Sequence, residues 1–229
     1  MYHNKYMIGT GYWASPSKVM YSSKTMPAPE FFDVWWENTH KYTAPEGGVT
    51  VINANSPVPP NAKGDWINLQ TNAKHVRDMN GKHLLGGWSV GVQVGASLAY
   101  AHGYDFVYKE QDCLAFGNWI ESLQKDIHDR NLRMLIGKWV GGPYLVEQSL
   151  MYIRWEYIPM FLSNWLSIPQ SDKSLRPELK YLSMQQQSPQ DIGFMTMEGG
   201  RTRPIQESLP VYAQQLSKEE LNNIRGLYG

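Results

Sequence analysis

The sequence has almost nothing with which to build a disulfide scaffold or a cysteine-rich metal site. Cys113 is the single cysteine among 229 residues, which excludes an internal disulfide and a Cys-cluster metal site. The first six residues lack the apolar core that a signal peptide has. Without a targeting signal or a disulfide pair, we expect a cytoplasmic protein.

Charge is scarce and balanced. Charged residues make up 18% of the chain, and 21 basic residues offset 21 acidic ones to give a formal net charge of zero. A general nucleic-acid binder would carry a clear basic excess. Residues 83–104 contain no Asp, Glu, Lys or Arg, but their glycines and polar side chains suit a buried turn and helix. We therefore expect no nucleic-acid partner and no transmembrane segment.

Aromatic residues, in contrast, are abundant. The chain has nine Trp and 14 Tyr. Such residues often line sites for flat or sugar-like ligands, although core packing is the commoner reason for them. The length of 229 residues favours a single domain over residues 1–229.

Strand-like and helix-like segments alternate along the chain, which predicts an α/β fold. Strands are predicted over residues 6–11, 49–55, 105–109 and 132–140. Helices are predicted over residues 30–38, 68–80, 89–102, 116–127 and 146–157, and after a capping box at residues 217–220. Prolines and a glutamine run predict loops over residues 167–193.

Two carboxylates follow the strand predicted over residues 105–109. Glu110 and Asp112 lie two positions apart, so in an extended segment their side chains point the same way. They would meet at the carboxyl end of the strand, where open α/β sheets bind ligands. Carboxylate oxygens suit Mg²⁺ or Mn²⁺. In isolation such a pair is more typical of a solvated strand end, and it is the ordered context around it that favours a site.

That context resembles the nucleotide-sugar-dependent glycosyltransferases of the GT-A fold, with a family 2-like pattern. In those proteins an Asn-Gly turn and a Gly/Ala-rich helix precede a strand that ends in an Asp-x-Asp motif. The matching residues here are Asn80-Gly81, Gly87, Gly91, Ala96, Ala101 and the segment 104–112. The resemblance implies a Rossmann-like three-layer α/β/α fold with a mixed central sheet.

The resemblance also implies a donor site with a divalent metal, Mn²⁺ or Mg²⁺. Asp112 would bind the metal, and Glu110, which stands where the family has Asp, would contact metal or ribose. No His follows His128, so the third ligand that many members supply is missing. The remaining donor-binding candidates are Thr10, Gly11, Tyr12, Asn55, Arg77, Gly87, Gln111, Arg201 and Arg203.

The two arginines, Arg201 and Arg203, follow a Gly-Gly turn and are spaced by one residue, which suits a diphosphate. A solvated loop is an equally good explanation of the pair. In this fold a C-terminal part, here about residues 167–229, closes over the donor. The acceptor side would include Trp139, Gly142 and Tyr144, whose aromatic rings could equally be packing residues.

By the same resemblance, Glu147 is the candidate base that removes the proton of the acceptor hydroxyl. The alternative is that Glu147 offsets the dipole of a helix in its first turn.

The function implied is transfer of a hexose or deoxyhexose from a nucleotide-diphosphate sugar to a hydroxyl of a glycan or glycoconjugate. Inversion is expected if Glu147 is the base, and retention stays open if it is structural. Two alternatives remain open from the sequence. One is a non-catalytic carbohydrate- or nucleotide-binding module. The other is a metal-dependent nucleotidyltransferase, which would release pyrophosphate.

Overall fold

The structure is a computed structural model that describes residues 5–12, 28–43, 48–53, 65–68, 76–77, 83–84, 86–138, 146–167, 177–197, 199, 210–214 and 216–226. Its strands are β1 (Tyr6–Tyr12), β2 (Gly48–Asn53), β3 (Asp65–Asn68), β4 (Val76–Arg77), β5 (His83–Leu84), β6 (Asp105–Lys109), β7 (Cys113–Phe116), β8 (Met134–Lys138), β9 (Val146–Ile153), β10 (Ile192–Phe194) and β11 (Val211–Gln214). Its helices are α1 (Ala28–Tyr42), α2 (Gly86–His102), α3 (Trp119–Asp129), α4 (Ile158–Ser167), α5 (Pro177–Gln187) and α6 (Lys218–Gly226).

Seven of the strands form one mixed sheet in the order β10-β8-β9-β6-β1-β2-β3. All neighbouring pairs are parallel except those of β9, which runs antiparallel to both β6 and β8. The inner strand β1 is buried at every position except the half-buried Gly11, as expected for a strand covered on both faces. The α/β class and the mixed sheet are therefore as predicted.

Two hydrophobic cores lie on opposite faces of this sheet. One contains side chains of α1, α3 and α6, among them Trp35 and Trp119. The other contains side chains of α2, α4 and α5, among them Phe161 and Tyr181. The sheet between two helical layers gives the three-layer arrangement that the resemblance implied. No helix in the described part of the chain is long and apolar enough to cross a membrane.

A second, two-stranded sheet joins distant parts of the chain. β7 pairs antiparallel with β11, with Cys113 opposite Gln214 and Phe116 opposite Val211. Because β7 begins directly after Asp112, the pairing brings the C-terminal part of the chain to the end of β6.

The helix predicted over residues 146–157 is wrong. Val146–Ile153 is strand β9, which fills the gap between β6 and β8, and the 3-10 turn Trp155–Tyr157 follows it. α4 begins only at Ile158, and Pro159 lies in its first turn, where a missing N–H is tolerated. Pairing with two neighbouring strands outweighs the local helical pattern here.

The prediction over residues 68–80 is also wrong where the structure describes it. Asn68 ends β3, which extends the sheet beside β2, and Val76–Arg77 pairs with His83–Leu84. The stretch predicted as loop contains helix α5 and strand β10. α2 begins at Gly86, three residues before the start predicted at residue 89.

The C-terminal capping box is confirmed. The Ser217 main-chain N–H donates to Glu220 Oε2 at 2.6 Å, and the Glu220 N–H donates to Ser217 Oγ at 3.2 Å. The strand predicted over residues 105–109 matches β6.

Candidate functional site

The carboxyl ends of the parallel strands meet the start of α2 at one edge of the sheet. α2 runs antiparallel to β1, because Gly91 lies against Gly11 and Gly95 lies against Gly9. A Cβ atom on Gly91 would be 3.3 Å from the Cα atom of Gly11, so the missing side chains allow this close approach. The first turn of α2, which contains Gly87, therefore lies at the carboxyl edge. Main-chain N–H groups at a helix start favour a bound anion.

The acidic pair lies at the same edge, in a turn that joins the two sheets. The Cys113 N–H donates to the Glu110 carbonyl at 2.9 Å, which closes the turn. The Glu110 N–H donates to the Ser149 carbonyl on β9 at 2.8 Å. Residues 110–112 are thus turned and not extended as predicted, but Glu110 and Asp112 still lie close enough to repel each other.

Carboxylates from other elements converge on this turn. Burial raises the pKa of Glu110 well above its usual range, and the charges of Asp112, Glu147 and Glu178 raise it further. The turn, β9 and α5 therefore contribute to one acidic cluster. A bound proton or a cation relieves such repulsion.

The acidic pair has the right chemistry for a hard cation, since both side chains offer carboxylate oxygens. Two such ligands leave coordination positions for the oxygens of a diphosphate. Among the residues that the structure describes, no group of three or more His, Cys, Asp or Glu side chains is arranged to hold a metal ion. The metal site stays a prediction.

Glu147 lies in β9, beside a bulge in that strand. Ile136 pairs with Met151 and Gly137 pairs with Glu147, so residues 148–150 have no counterpart on β8. A Cβ atom on Gly137 would lie 2.6 Å from the Glu147 carbonyl oxygen, so a glycine is needed opposite the bulge. Bulges of this kind redirect side chains next to functional sites.

The Glu147 side chain is buried, with 6% of its surface exposed. Its charge acts on Glu110, Cys113 and Tyr212, which places it at the acidic turn. The alternative role at a helix dipole is wrong, because Glu147 is not in a helix.

The side chains predicted at the end of β1 lie in the core. Thr10 and Tyr12 are 0% and 1% exposed. The Tyr12 ring packs edge-on against Phe32 with 4.7 Å between the ring centroids. Gly11, between them, is half-buried beside Gly91. Of these three residues Gly11 is the least buried, and its carbonyl accepts the Thr10 hydroxyl at 3.3 Å.

A lysine and an asparagine beside the turn were not predicted as site residues. Lys109 is fully buried, and its ammonium donates to Asn38 Oδ1 at 2.8 Å. Burial lowers the pKa of Lys109 from 10.5 to about 7. The only sequence signal was a lysine between the run Phe106–Tyr108 and the acidic pair.

Two residues of α5 were also missed, because the segment was predicted as loop. Tyr181 is fully buried, and burial raises its pKa, with a further increase from the charge of Glu110. Glu178 adds its charge to the acidic cluster. A helical pattern that starts at Pro177 was the available signal.

Several predicted site residues lie outside the described residues: Asn55, Trp139, Gly142, Tyr144, Arg201 and Arg203. Arg77 is placed by its backbone in β4, and Gly87 by its backbone in the first turn of α2.

One glycine before the arginine pair packs close to the site. A Cβ atom on Gly199 would lie 2.1 Å from the Tyr212 Cδ1 atom, so Gly199 rests directly on the tyrosine ring. The Tyr212 hydroxyl donates to the Lys138 carbonyl at the end of β8 at 3.3 Å. Gly199, which precedes residues 200–209, therefore lies beside the carboxyl edge. β11, which follows those residues, lies beside the acidic turn.

Solved glycosyltransferase structures share this arrangement over nearly the whole chain. A glycosyltransferase involved in the glycosylation of the major capsid of PBCV-1 is 11% identical, and the match covers 97% of this chain and 98% of that one at a TM-score of 0.56. The galactosyltransferase LgtC, solved with donor and acceptor sugar analogs, is 10% identical, with 97% and 95% covered at a TM-score of 0.54.

A third structure, the 1–349 fragment of TarS from S. aureus in complex with UDP, is 12% identical over 98% of this chain and 64% of that one, at a TM-score of 0.52. No protein-family model matches the chain, and no curated protein matches its sequence. At these identities the similarity establishes the fold, which is of the GT-A type, as the sequence resemblance implied.

Proposed function

We propose that the protein is a glycosyltransferase that moves a sugar from a nucleotide-diphosphate sugar to a hydroxyl acceptor. The observation that carries the proposal is the acidic turn of Glu110 and Asp112 at the carboxyl edge, beside the start of α2. Solved proteins of this fold include one in complex with UDP and one with donor and acceptor sugar analogs.

The donor diphosphate would lie between the first turn of α2 and the acidic turn. The helix start offers main-chain N–H groups, including those near Gly87, to the phosphate oxygens. Glu110 and Asp112 would hold Mn²⁺ or Mg²⁺, and such a cation neutralises charge on a departing diphosphate. Arg201 and Arg203 are proposed to contact the same phosphates, which the position of Gly199 supports.

Further donor contacts are proposed from the sequence pattern. These are the main chain at Gly11 together with Asn55, Arg77 and Gln111. The side chains of Thr10 and Tyr12 would act through packing, since both are buried.

Glu147 is proposed as the base that accepts the proton of the acceptor hydroxyl. Its place beside the β9 bulge and the action of its charge on Glu110 support this role. Its burial keeps it in a poorly hydrated position. Direct attack by the deprotonated hydroxyl would invert the anomeric centre. The acceptor would be a glycan or glycoconjugate held near Trp139, Gly142 and Tyr144. We propose a hexosyl or deoxyhexosyl donor and a cytoplasmic location on the sequence features alone.

The test is a thermal-shift screen of nucleoside diphosphates and nucleotide sugars with Mn²⁺, Mg²⁺ or EDTA. A ligand at a hundred times its Kd should stabilise the fold by about 2.7 kcal/mol. We expect a metal-dependent shift that is lost in Asp112→Asn. The matched control Asp129→Asn removes an exposed carboxylate of α3 and should keep the shift.

Product analysis separates the alternatives. Release of a nucleoside diphosphate with transfer of the sugar supports the proposal. Pyrophosphate would indicate a nucleotidyltransferase, and binding without turnover of any donor would indicate a non-catalytic module. The absence of any shift in folded protein would refute the donor site.

A further inference from the structure

One side-chain amide connects the two ends of the acidic turn. Asn38 of α1 is fully buried. Its Nδ2 donates to the Ala115 carbonyl at 2.9 Å, and its Oδ1 accepts the Ala115 N–H at 2.9 Å. The same Oδ1 accepts the Lys109 ammonium at 2.8 Å. Lys109 immediately precedes Glu110, and Ala115 is the third residue after Asp112, so these bonds connect the strands on either side of the turn.

Burial of the Lys109 ammonium carries a desolvation penalty. Its Nζ atom lies 5.1 Å from the ring centroid of Trp35 and 5.6 Å from that of Trp119, and among the described residues no carboxylate lies within ion-pair distance. An apolar side chain of similar length would fill the space without desolvating a charge. Stability of the fold therefore does not explain the lysine.

Main-chain bonds also hold the turn. The Cys113 N–H donates to the Glu110 carbonyl, and the Glu110 N–H donates to β9. Neither bond fixes the direction in which the chain leaves Asp112 for β7. The contacts of Asn38 with Ala115 set that direction together with the pairing of β7 with β11. Lys109 orients the Asn38 amide, because only its carbonyl oxygen accepts from the ammonium.

We propose that Lys109 and Asn38 are positioning residues, which together hold the acidic turn in the shape that binds a divalent cation and the donor diphosphate. This inference rests on the proposed function, and it assigns the two residues no contact with substrate.

The first test measures nucleotide affinity and stability in the same variant. In Lys109→Met we expect the Mn²⁺-dependent affinity for the best nucleoside diphosphate to fall roughly 10- to 100-fold, the range typical of residues that support metal ligands. The midpoint of unfolding should not fall. Lys109→Arg, which keeps a donor for Asn38, should recover part of the affinity. The matched control Lys125→Met removes an exposed lysine of α3 and should change neither quantity.

A second readout needs no nucleotide. Cys113 is the only cysteine of the chain, it is fully buried, and its N–H closes the turn. Its rate of reaction with a thiol reagent in the folded protein reports the opening of the turn. We expect at least a tenfold faster reaction in Lys109→Met and no change in Lys125→Met.

The possible outcomes distinguish a failure of this inference from a failure of the proposed function. If the wild type binds a nucleotide and Lys109→Met binds it equally well, the inference is overturned and the proposed function stands. If the wild type binds no nucleotide, both are overturned, whatever the thiol rates. Weaker binding together with faster thiol reaction supports the inference. Weaker binding that is fully accounted for by a lower midpoint of unfolding would overturn it, because the loss of affinity would then reflect a loss of folded protein.

Discussion

Replacing Lys109 with methionine should stabilise the protein, and by an amount that depends on pH. Burial lowers the pKa of Lys109 from 10.5 to about 7 in the folded state. Each pKa unit corresponds to 1.36 kcal/mol, so the buried charge destabilises the fold by about 5 kcal/mol where it is fully present. Methionine has a similar length and carries no charge, and its sulfur suits the contact with Trp35 and Trp119.

The direction of the pH effect follows from which state holds the proton. Between pH 7 and 10.5 the unfolded chain keeps the lysine proton that the folded protein has released, so the free energy of unfolding of the wild type rises with pH. Below pH 7 both states are protonated and the penalty is complete. Above 10.5 neither state is charged and the penalty vanishes.

The measurement is urea denaturation of both proteins, followed by the fluorescence of the nine tryptophans, at pH 6, 8 and 9.5. We expect Lys109→Met to be more stable by up to about 5 kcal/mol at pH 6, and the advantage to shrink by about 1.4 kcal/mol per pH unit above pH 7. Subtracting one protein's free energy of unfolding from the other's at each pH cancels the contributions of groups that titrate in the same way in both. A difference that stays constant with pH, or a variant that is less stable at pH 6, would refute the reasoning. Lys125→Met should show no such slope.

Four further changes test other features. Gly95→Ala places a Cβ atom 2.6 Å from the Phe106 Cζ atom, so we expect a loss of about 1–3 kcal/mol in urea denaturation. Ser217→Ala removes the capping bond and should cost about 1 kcal/mol by the same assay. Glu147→Gln should lower kcat by roughly 10²–10⁴-fold with an unchanged Kd for the donor, and an unchanged kcat would exclude it as the base. Gly137→Ala should displace the bulge and lower kcat, which activity normalised to folded protein would reveal.

The parts of the fold that the sequence predicted correctly are those defined by local patterns. β6 has the run Phe106–Tyr108 directly before Lys109 and the acidic pair, and α6 carries its own capping box. β9 could not be predicted in this way, because its strand conformation comes from pairing with β6 and β8. α5 was missed for a different reason: a helical pattern starts at Pro177, but the prolines and the glutamine run of the segment predicted a loop.

The site residues that could be predicted from the sequence are those whose position is set by the end of a strand. Glu110 and Asp112 lie at the carboxyl edge because β6 ends there. Glu147 lies near them, although the helix on which its prediction was based is a strand. The bond between Lys109 and Asn38 spans 71 positions of the sequence, and no local pattern encodes such a contact.

The pairing of β7 with β11 has a consequence for the order in which the molecule is completed during synthesis. Phe116 is translated 95 residues before its partner Val211 (211 − 116). At a synthesis rate of 5–20 residues per second, β7 stays an unpaired edge strand for roughly 5–20 s. Such edges recruit other strands. The nascent chain therefore exposes an unpaired edge strand directly after the acidic turn until β11 has been synthesised. Slower translation of residues 117–210 should consequently increase the yield of aggregated protein.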